Sequence, residues 1–224
     1  MRATSCEQQV LSNPFDEQAR AERYEEWYAG RGRRADRLEK RLLAGLLAGF
    51  PQAGTVLEVG CGTGHFTRWF AEQGLRPVGL DISPVMLAEA VKWDGIPYAV
   101  GDALALPFAD RSFDIVAFIT TLEFVTDPQS ALGEAVRVAR RGLLLGVLNK
   151  HSLLALKRKI GAKPPWNEAR YFSPAELVRS LQEVAGARLA LVRWRTTLWP
   201  LPIPKSLPLP WGAFIGMAVR LHQK

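Results

Sequence analysis

The feature that most restricts what this chain can become is a run of three glycines at alternate positions. The stretch Thr55-Val-Leu-Glu-Val59 is β-prone, opens into Gly60-Cys-Gly62-Thr-Gly64, and passes directly into a helical stretch that stops at Gly74. Glycines at that spacing let the backbone turn tightly and approach a ligand with no Cβ in the way. A strand, a glycine loop and a helix in that order form the first half of a parallel crossover unit. The alternation then repeats. Pro77–Asp81, Ile96–Val100, Phe113–Thr120 and Gly142–Leu148 read as strands. Ser83-Pro84 and Asp127-Pro128 open the helices between them, with proline at the first helical position.

The flanks complete the layout. Residues 16 to 49 read as one or two helices broken near Gly30-Arg-Gly32, with Leu38, Leu42, Leu43, Leu46 and Leu47 along one face. Ser173-Pro-Ala-Glu176 is a capping box starting a helix that ends near Gly186, and two strands follow, Arg188–Thr196 and Gly212–Leu221. The expectation is one α/β domain spanning residues 1–224, a doubly wound, seven-stranded, mostly parallel sheet. Residues 1–50 form a helical lid and 51–148 a cofactor-binding core. Residues 149–224 carry a substrate-covering insertion after the fifth strand, then the final helix and strands.

In such sheets ligands bind beyond the carboxyl ends of the strands. The first strand ends in G-x-G-x-G rather than the dinucleotide G-x-G-x-x-G, with Glu58 two residues before the loop. A carboxylate there repels a pyrophosphate and favours an ammonium or sulfonium. S-adenosylmethionine carries both cations and no phosphate. The second strand ends at Asp81, suited to accept hydrogen bonds from both hydroxyls of a ribose. The third ends at Gly101-Asp102, where Asp102 suits an adenine amino group and the Ala103 N–H a ring nitrogen; a helix or turn cap competes for Asp102 in isolation, but not in series with the other two strand ends.

Taken in order, V-L-E-V-G-C-G-T-G, G-L-D-I-S, G-D-A-L-A-L-P-F-A-D-R-S-F-D-I-V and T-T-L-E-F-V-T-D-P resemble the class I S-adenosylmethionine-dependent methyltransferases. The closest likeness is to the small-molecule branch that includes the ubiquinone/menaquinone-biosynthesis C-methyltransferases. The resemblance runs from Val56 to about Leu148. It implies that Gly60, Cys61, Gly62 and Gly64 line the methionine end of the cofactor. Asp81 would hold the ribose, with Ile82 and Met86 packing on the adenine or sugar, and Asp102, Ala103 and Leu104 would sit at the adenine. Thr120 and Thr121 would lie beneath the sulfonium. Many relatives carry histidine or tryptophan where this chain has Glu123-Phe124, so no base role transfers to Glu123; capping the helix start at Asp127-Pro128 is the favoured role.

The expected reaction is methyl transfer to a small, hydrophobic or acidic acceptor by in-line displacement, leaving S-adenosylhomocysteine. An activated methyl needs chiefly orientation, so no catalytic residue need be visible. Tyr24 and Tyr28, in the stretch resembling the family's lid, together with Glu123, Trp166 and Trp199, are the candidates for acceptor contact. Trp199, Ile203, Leu207 and Trp211 are expected to pack within a proline-stiffened loop. Up to Leu148 there are 16 Lys and Arg against 19 Asp and Glu, and from Asn149 onward 13 against 3. That asymmetry suits an anionic acceptor or a peripheral membrane contact. Nucleic acid is disfavoured as substrate, because Thr120-Thr-Leu-Glu123 stands where amino-methylating enzymes place N/D-P-P-Y/F. Cys6 and Cys61, with three scattered histidines, furnish neither a disulfide framework nor a metal site. No apolar run spans a bilayer and no signal peptide is apparent, so a cytoplasmic location is expected. The competing readings are a nicotinamide oxidoreductase, a non-catalytic adenosylmethionine-binding protein and a nucleic-acid methyltransferase.

Overall fold

The computed structural model describes residues 18–93, 95–156, 166–199 and 205–223. Two helices, α1 (Gln18–Ala29) and α2 (Arg33–Leu47), precede the sheet. Then β1 (Thr55–Val59), α3 (His65–Glu72), β2 (Arg76–Asp81), α4 (Pro84–Ala90), β3 (Tyr98–Val100), β4 (Phe113–Ile119), α5 (Pro128–Val138) and β5 (Ala139–Leu148) follow in alternation. Helix α6 (Pro174–Ala185) leads into β6 (Leu189–Thr197) and β7 (Phe214–Leu221). The order across the sheet is β3-β2-β1-β4-β5-β7-β6, with β7 antiparallel to both neighbours and the other pairings parallel.

This is the expected seven-stranded, doubly wound sheet, with shifts at element ends. The helix opened by Ser83 stops at Ala90, and β3 begins at Tyr98 rather than Ile96. Strand β5 begins at Ala139, earlier than expected. Its first residues hold Asp114, whose Oδ1 accepts hydrogen bonds from Arg140 and Arg141 at 2.9 and 3.0 Å. A tertiary ion pair thus extends a strand beyond its apolar run.

Each face of the sheet has its own core. On one side Val116, Phe118, Leu143 and Leu145 pack against α5 and α6 through Leu132, Leu177 and Leu181. On the other, Ile115, Ala117 and Leu144 meet Leu42, Leu43 and Leu46 of α2 and Phe66 and Phe70 of α3. Strand β4 is buried at every position, as a strand covered on both faces must be. Among the described residues no helix is long and apolar enough to cross a membrane.

The expected capping box is present: the Ser173 hydroxyl accepts from the Glu176 N–H and Glu176 Oε2 accepts from the Ser173 N–H at 2.9 Å. Asp127 caps α5, its Oδ1 accepting from the N–H groups of Gln129 and Ser130. The expectation that Glu123 caps this helix is therefore corrected. Residues 153–156 are helical, while Lys157, Arg158, Pro164, Pro165 and Ile203 lie outside the described residues. Trp211, expected to pack, is 58% exposed. It sits just before the backbone turns in at Gly212, whose Cβ position is already filled by Thr196.

Candidate active site

The carboxyl ends of β1, β2 and β4 converge on the glycine loop. Gly60, Gly62 and Gly64 all adopt positive φ, at +70°, +55° and +79°. At Gly60 the requirement is steric as well, since a Cβ would come within 2.1 Å of the Thr121 methyl. Thr121 in turn donates from its hydroxyl to the Gly60 carbonyl at 3.2 Å. Its neighbour Thr120 holds φ +54°, a position β-branched residues rarely occupy. Such strain persists only where the surroundings impose it, and it gathers at functional sites. Here the Thr120 N–H is pinned to the Gly146 carbonyl at 2.7 Å.

Asp81 joins the loop to the next turn. Its Oδ2 accepts from the Gly62 N–H at 2.7 Å and its Oδ1 from the Ser83 N–H at 2.9 Å. Beyond it Ile82 is 58% exposed, whereas Met86 is buried with its methyl beside Gly62. Cys61 is buried, and burial pushes its thiol well above the usual range, which makes it a packing residue rather than a nucleophile. Asp102 is exposed and its Oδ1 accepts from the Leu104 N–H at 2.9 Å, so it shapes its own turn; Ala103 and Leu104 are half-buried against the core.

Glu58 is only 2% exposed. Burial raises its carboxyl to about 8; the Thr67 hydroxyl, donating to Oε2 at 2.5 Å, pulls in the other direction. A carboxyl raised this far keeps most of its proton at neutral pH.

Helix α1 roofs this end. Burial pushes the Tyr24 hydroxyl up to about 12, with the carboxylates of Glu39, Asp81 and Glu58 adding to the rise. Tyr28 stacks on His65, centroids 3.7 Å apart. Glu25 accepts from the Thr63 hydroxyl at 2.6 Å and from Arg68 at 2.8 Å. Burial opposes its ionisation, yet hydrogen bonds from His65, Thr63 and Arg68 bring it down to about 2. His65 also meets Asp36 of α2 at 2.7 Å; burial works against its charge, but the two carboxylates raise its pKa. The sequence reading missed this network of Glu25, Asp36, Thr63, His65 and Arg68. The one available signal was the i, i+4 pair Tyr24 and Tyr28, which put one face of α1 toward the loop.

The acceptor candidates are less gathered. Tyr24 and Tyr28 sit at the glycine loop. Glu123 is buried, its Oε1 accepting from the Leu148 N–H at 2.6 Å, and its carbonyl accepts from the Arg170 N–H. Phe124 and Trp166 pack edge to face, centroids 5.5 Å apart. Trp199 is buried just beyond β6. Asn149 ties the two late segments together: its side chain donates to the carbonyls of Pro210 and Gly212, and its Oδ1 accepts from the His151 N–H.

The residues fit an adenosyl cation better than a pyrophosphate ligand. Two buried acidic side chains, the Asp81 carboxylate and the Glu58 carboxyl, flank the loop, and the nearby His65 and Arg68 are engaged by Glu25 and Asp36.

Residues 57–145 match the family described as a methyltransferase domain. A demethylmenaquinone methyltransferase of Roseiflexus sp. is 35% identical over 175 residues, covering 62% of this chain and 70% of its own length. The chain belongs to the class I S-adenosylmethionine-dependent methyltransferases. An uncharacterised protein of Methanocaldococcus jannaschii is 31% identical over 176 residues, covering 77% of this methyltransferase and 80% of its own chain. A solved structure from Thermotoga maritima, an S-adenosylmethionine-dependent methyltransferase and possible histamine N-methyltransferase, superposes with a TM-score of 0.75. It is 27% identical and covers 91% of this methyltransferase and 96% of its own chain.

Proposed function

We propose that this methyltransferase passes the methyl group to a small, apolar acceptor bearing an acidic group, held between α1 and the segments that follow β5 and β6. S-adenosylmethionine, when bound, supplies an electrophilic methyl open to in-line displacement and leaves as S-adenosylhomocysteine. In this reading the loop Gly60–Gly64 takes the methionine end, Asp81 the ribose hydroxyls, and Ile82, Met86, Asp102, Ala103 and Leu104 the adenine side. Glu58 gives up its proton as the cation arrives. Thr120 and Thr121 set the floor, and Tyr24 excludes water with a hydroxyl that stays protonated.

The observation that carries the acceptor class is an aromatic wall, Phe124 with Trp166, beyond the carboxyl end of β4, with Trp199 buried separately beyond β6. Such surfaces take the body of an apolar ligand, and a few polar groups orient it. The Roseiflexus relative, named for a menaquinone precursor, has an acceptor of this apolar kind. Arg170, whose backbone N–H holds the Glu123 carbonyl, is a described cation four residues from Trp166. Glu123, with its Oε1 on the Leu148 N–H, serves as a support for the end of β5 rather than as a base.

The test is an acceptor screen with radiolabelled S-adenosylmethionine, using apolar phenols and carboxylic acids against polar uncharged compounds. Transfer to the first group, with KM raised and cofactor affinity unchanged in Trp166→Ala, supports the assignment. Transfer only to polar neutral compounds overturns it.

A further inference from the structure

The positive charge of the last third does not collect at the active site. Strand β6 is the edge of the sheet, and its residues alternate. Arg193 pairs with Ala218 and Arg195 with Gly216, so both point to the face on which α2 packs, where Ala218 joins the Leu42 and Leu46 cluster. Gly45 of α2 and Gly49 just beyond it face Leu191, Arg193 and Arg220 across a shallow groove. On α2, Arg34 and Arg41 fall in the same row as Gly45, with Arg37 one step outside. All six arginines are exposed, and among the described residues no carboxylate pairs with any of them. After Glu183 the sequence contains no Asp or Glu at all.

The edge also offers backbone. The N–H and C=O of Thr196 both bond to Leu207, so they point away from β7. By the two-residue alternation of a strand, those of Trp194 and Val192 point the same way, and no described residue bonds to them. Among the described residues, the chain's own loop thus pairs at one end of this edge and leaves the rest open. On the opposite face Val192 and Trp194 are half-buried against the α6 core.

We propose that the open edge of β6 docks an extended acidic segment of a partner protein by strand addition. Its acidic side chains would lie beside Arg193 and Arg195, and its alternate apolar side chains beside Val192 and Trp194. Strand addition draws affinity from main-chain hydrogen bonds and specificity from alternate side chains. A second copy of this chain is disfavoured, because its own arginines would oppose these. A lipid surface is disfavoured because, among the described residues, the arginine face exposes only Leu191 as a large apolar side chain. The proposal does not depend on the acceptor assigned above.

The experiment uses the full chain and a peptide of about nine residues alternating Glu and Val. Parallel arms are the same composition in two blocks, a single-stranded oligouridylate and vesicles of anionic phospholipid. The alternating peptide should bind best and protect the Val192 and Trp194 amides from hydrogen exchange. Arg193→Glu with Arg195→Glu should weaken it by about tenfold or more and create binding to an alternating Lys–Val peptide. Unchanged S-adenosylhomocysteine affinity in that variant shows that it is folded. Equal binding of the blocked peptide, tighter binding of oligonucleotide or vesicles, or no amide protection in the parent protein would overturn the proposal.

Discussion

The two ends of the active site are built from different materials. The cofactor end is backbone and carboxylate: three left-handed glycines, Asp81 on the Gly62 and Ser83 N–H groups, and Glu58 buried beneath. The acceptor end, as proposed, draws on side chains from α1, the β4 end and the segments that follow β5 and β6. Backbone geometry at a strand end tolerates almost no substitution, whereas an apolar wall can be rebuilt from many side chains of similar volume. The first end lies within the residues that match the family, 57–145, and Trp166 and Trp199 of the second lie beyond them.

That contrast can be broken at its strongest point first. Gly60→Ala places a Cβ 2.1 Å from the Thr121 methyl at φ +70°, so S-adenosylhomocysteine binding should be lost and the melting temperature should fall. The strain alone is of the order of 1–3 kcal/mol. Calorimetry showing parental affinity would mean that the loop is not the cofactor cradle.

Asp81→Ala should cost about 1.5–3 kcal/mol of cofactor affinity, because it removes a charged acceptor and releases the Gly62 N–H. Glu123→Ala should leave cofactor affinity within a few-fold of the parent while lowering stability, since the Leu148 N–H loses its partner. Equal affinity losses in the two variants would erase the distinction between the ends.

Glu58 adds a pH dependence. Its carboxyl is raised from 4.5 to about 8 by burial, so the folded protein without ligand keeps a proton that the unfolded chain has shed. Stability is thus lost as pH rises from about 5 to about 8, by an amount of the order of a few kcal/mol. Glu58→Gln should flatten that slope in thermal melts between pH 5 and 8, and should remove the rise in S-adenosylmethionine affinity over the same interval. A parental slope in the variant would assign the proton elsewhere.

The smallest effect belongs to the wall. Trp166→Ala should raise the acceptor KM with little change in cofactor affinity, measured by steady-state kinetics and calorimetry. A loss of cofactor binding would join the two ends into one site.

Legibility followed the same division. The strand–loop–helix order, the capping box at Ser173 and the positive-φ glycines were readable because each is specified within a few residues. The Glu25–Thr63–Arg68 contact was not, since it joins positions about forty apart in the chain that only the packing of α1 on the glycine loop brings together. The extra residues at the start of β5 were hidden for the same reason, because nothing local in the sequence pairs Arg140 and Arg141 with Asp114. Glu123 misled because a carboxylate near Asp127-Pro128 looks like a cap, yet Asp127 is closer in sequence and does the capping itself.

The position of β7 has a consequence for synthesis. It slots between β5 and β6, yet it is made after both. While the ribosome is still adding residues before Phe214, β5 has no neighbour on that side and β6 has nothing to pair with. The parallel half of the sheet can gather early, but the last two strands wait for one late insertion across some seventy residues of intervening chain. Pairings that distant are slow, and an apolar strand with an open side is a sticky one while it waits. Trp194 on β6 is placed to report the moment of closure, and its fluorescence should change in the slowest phase of refolding.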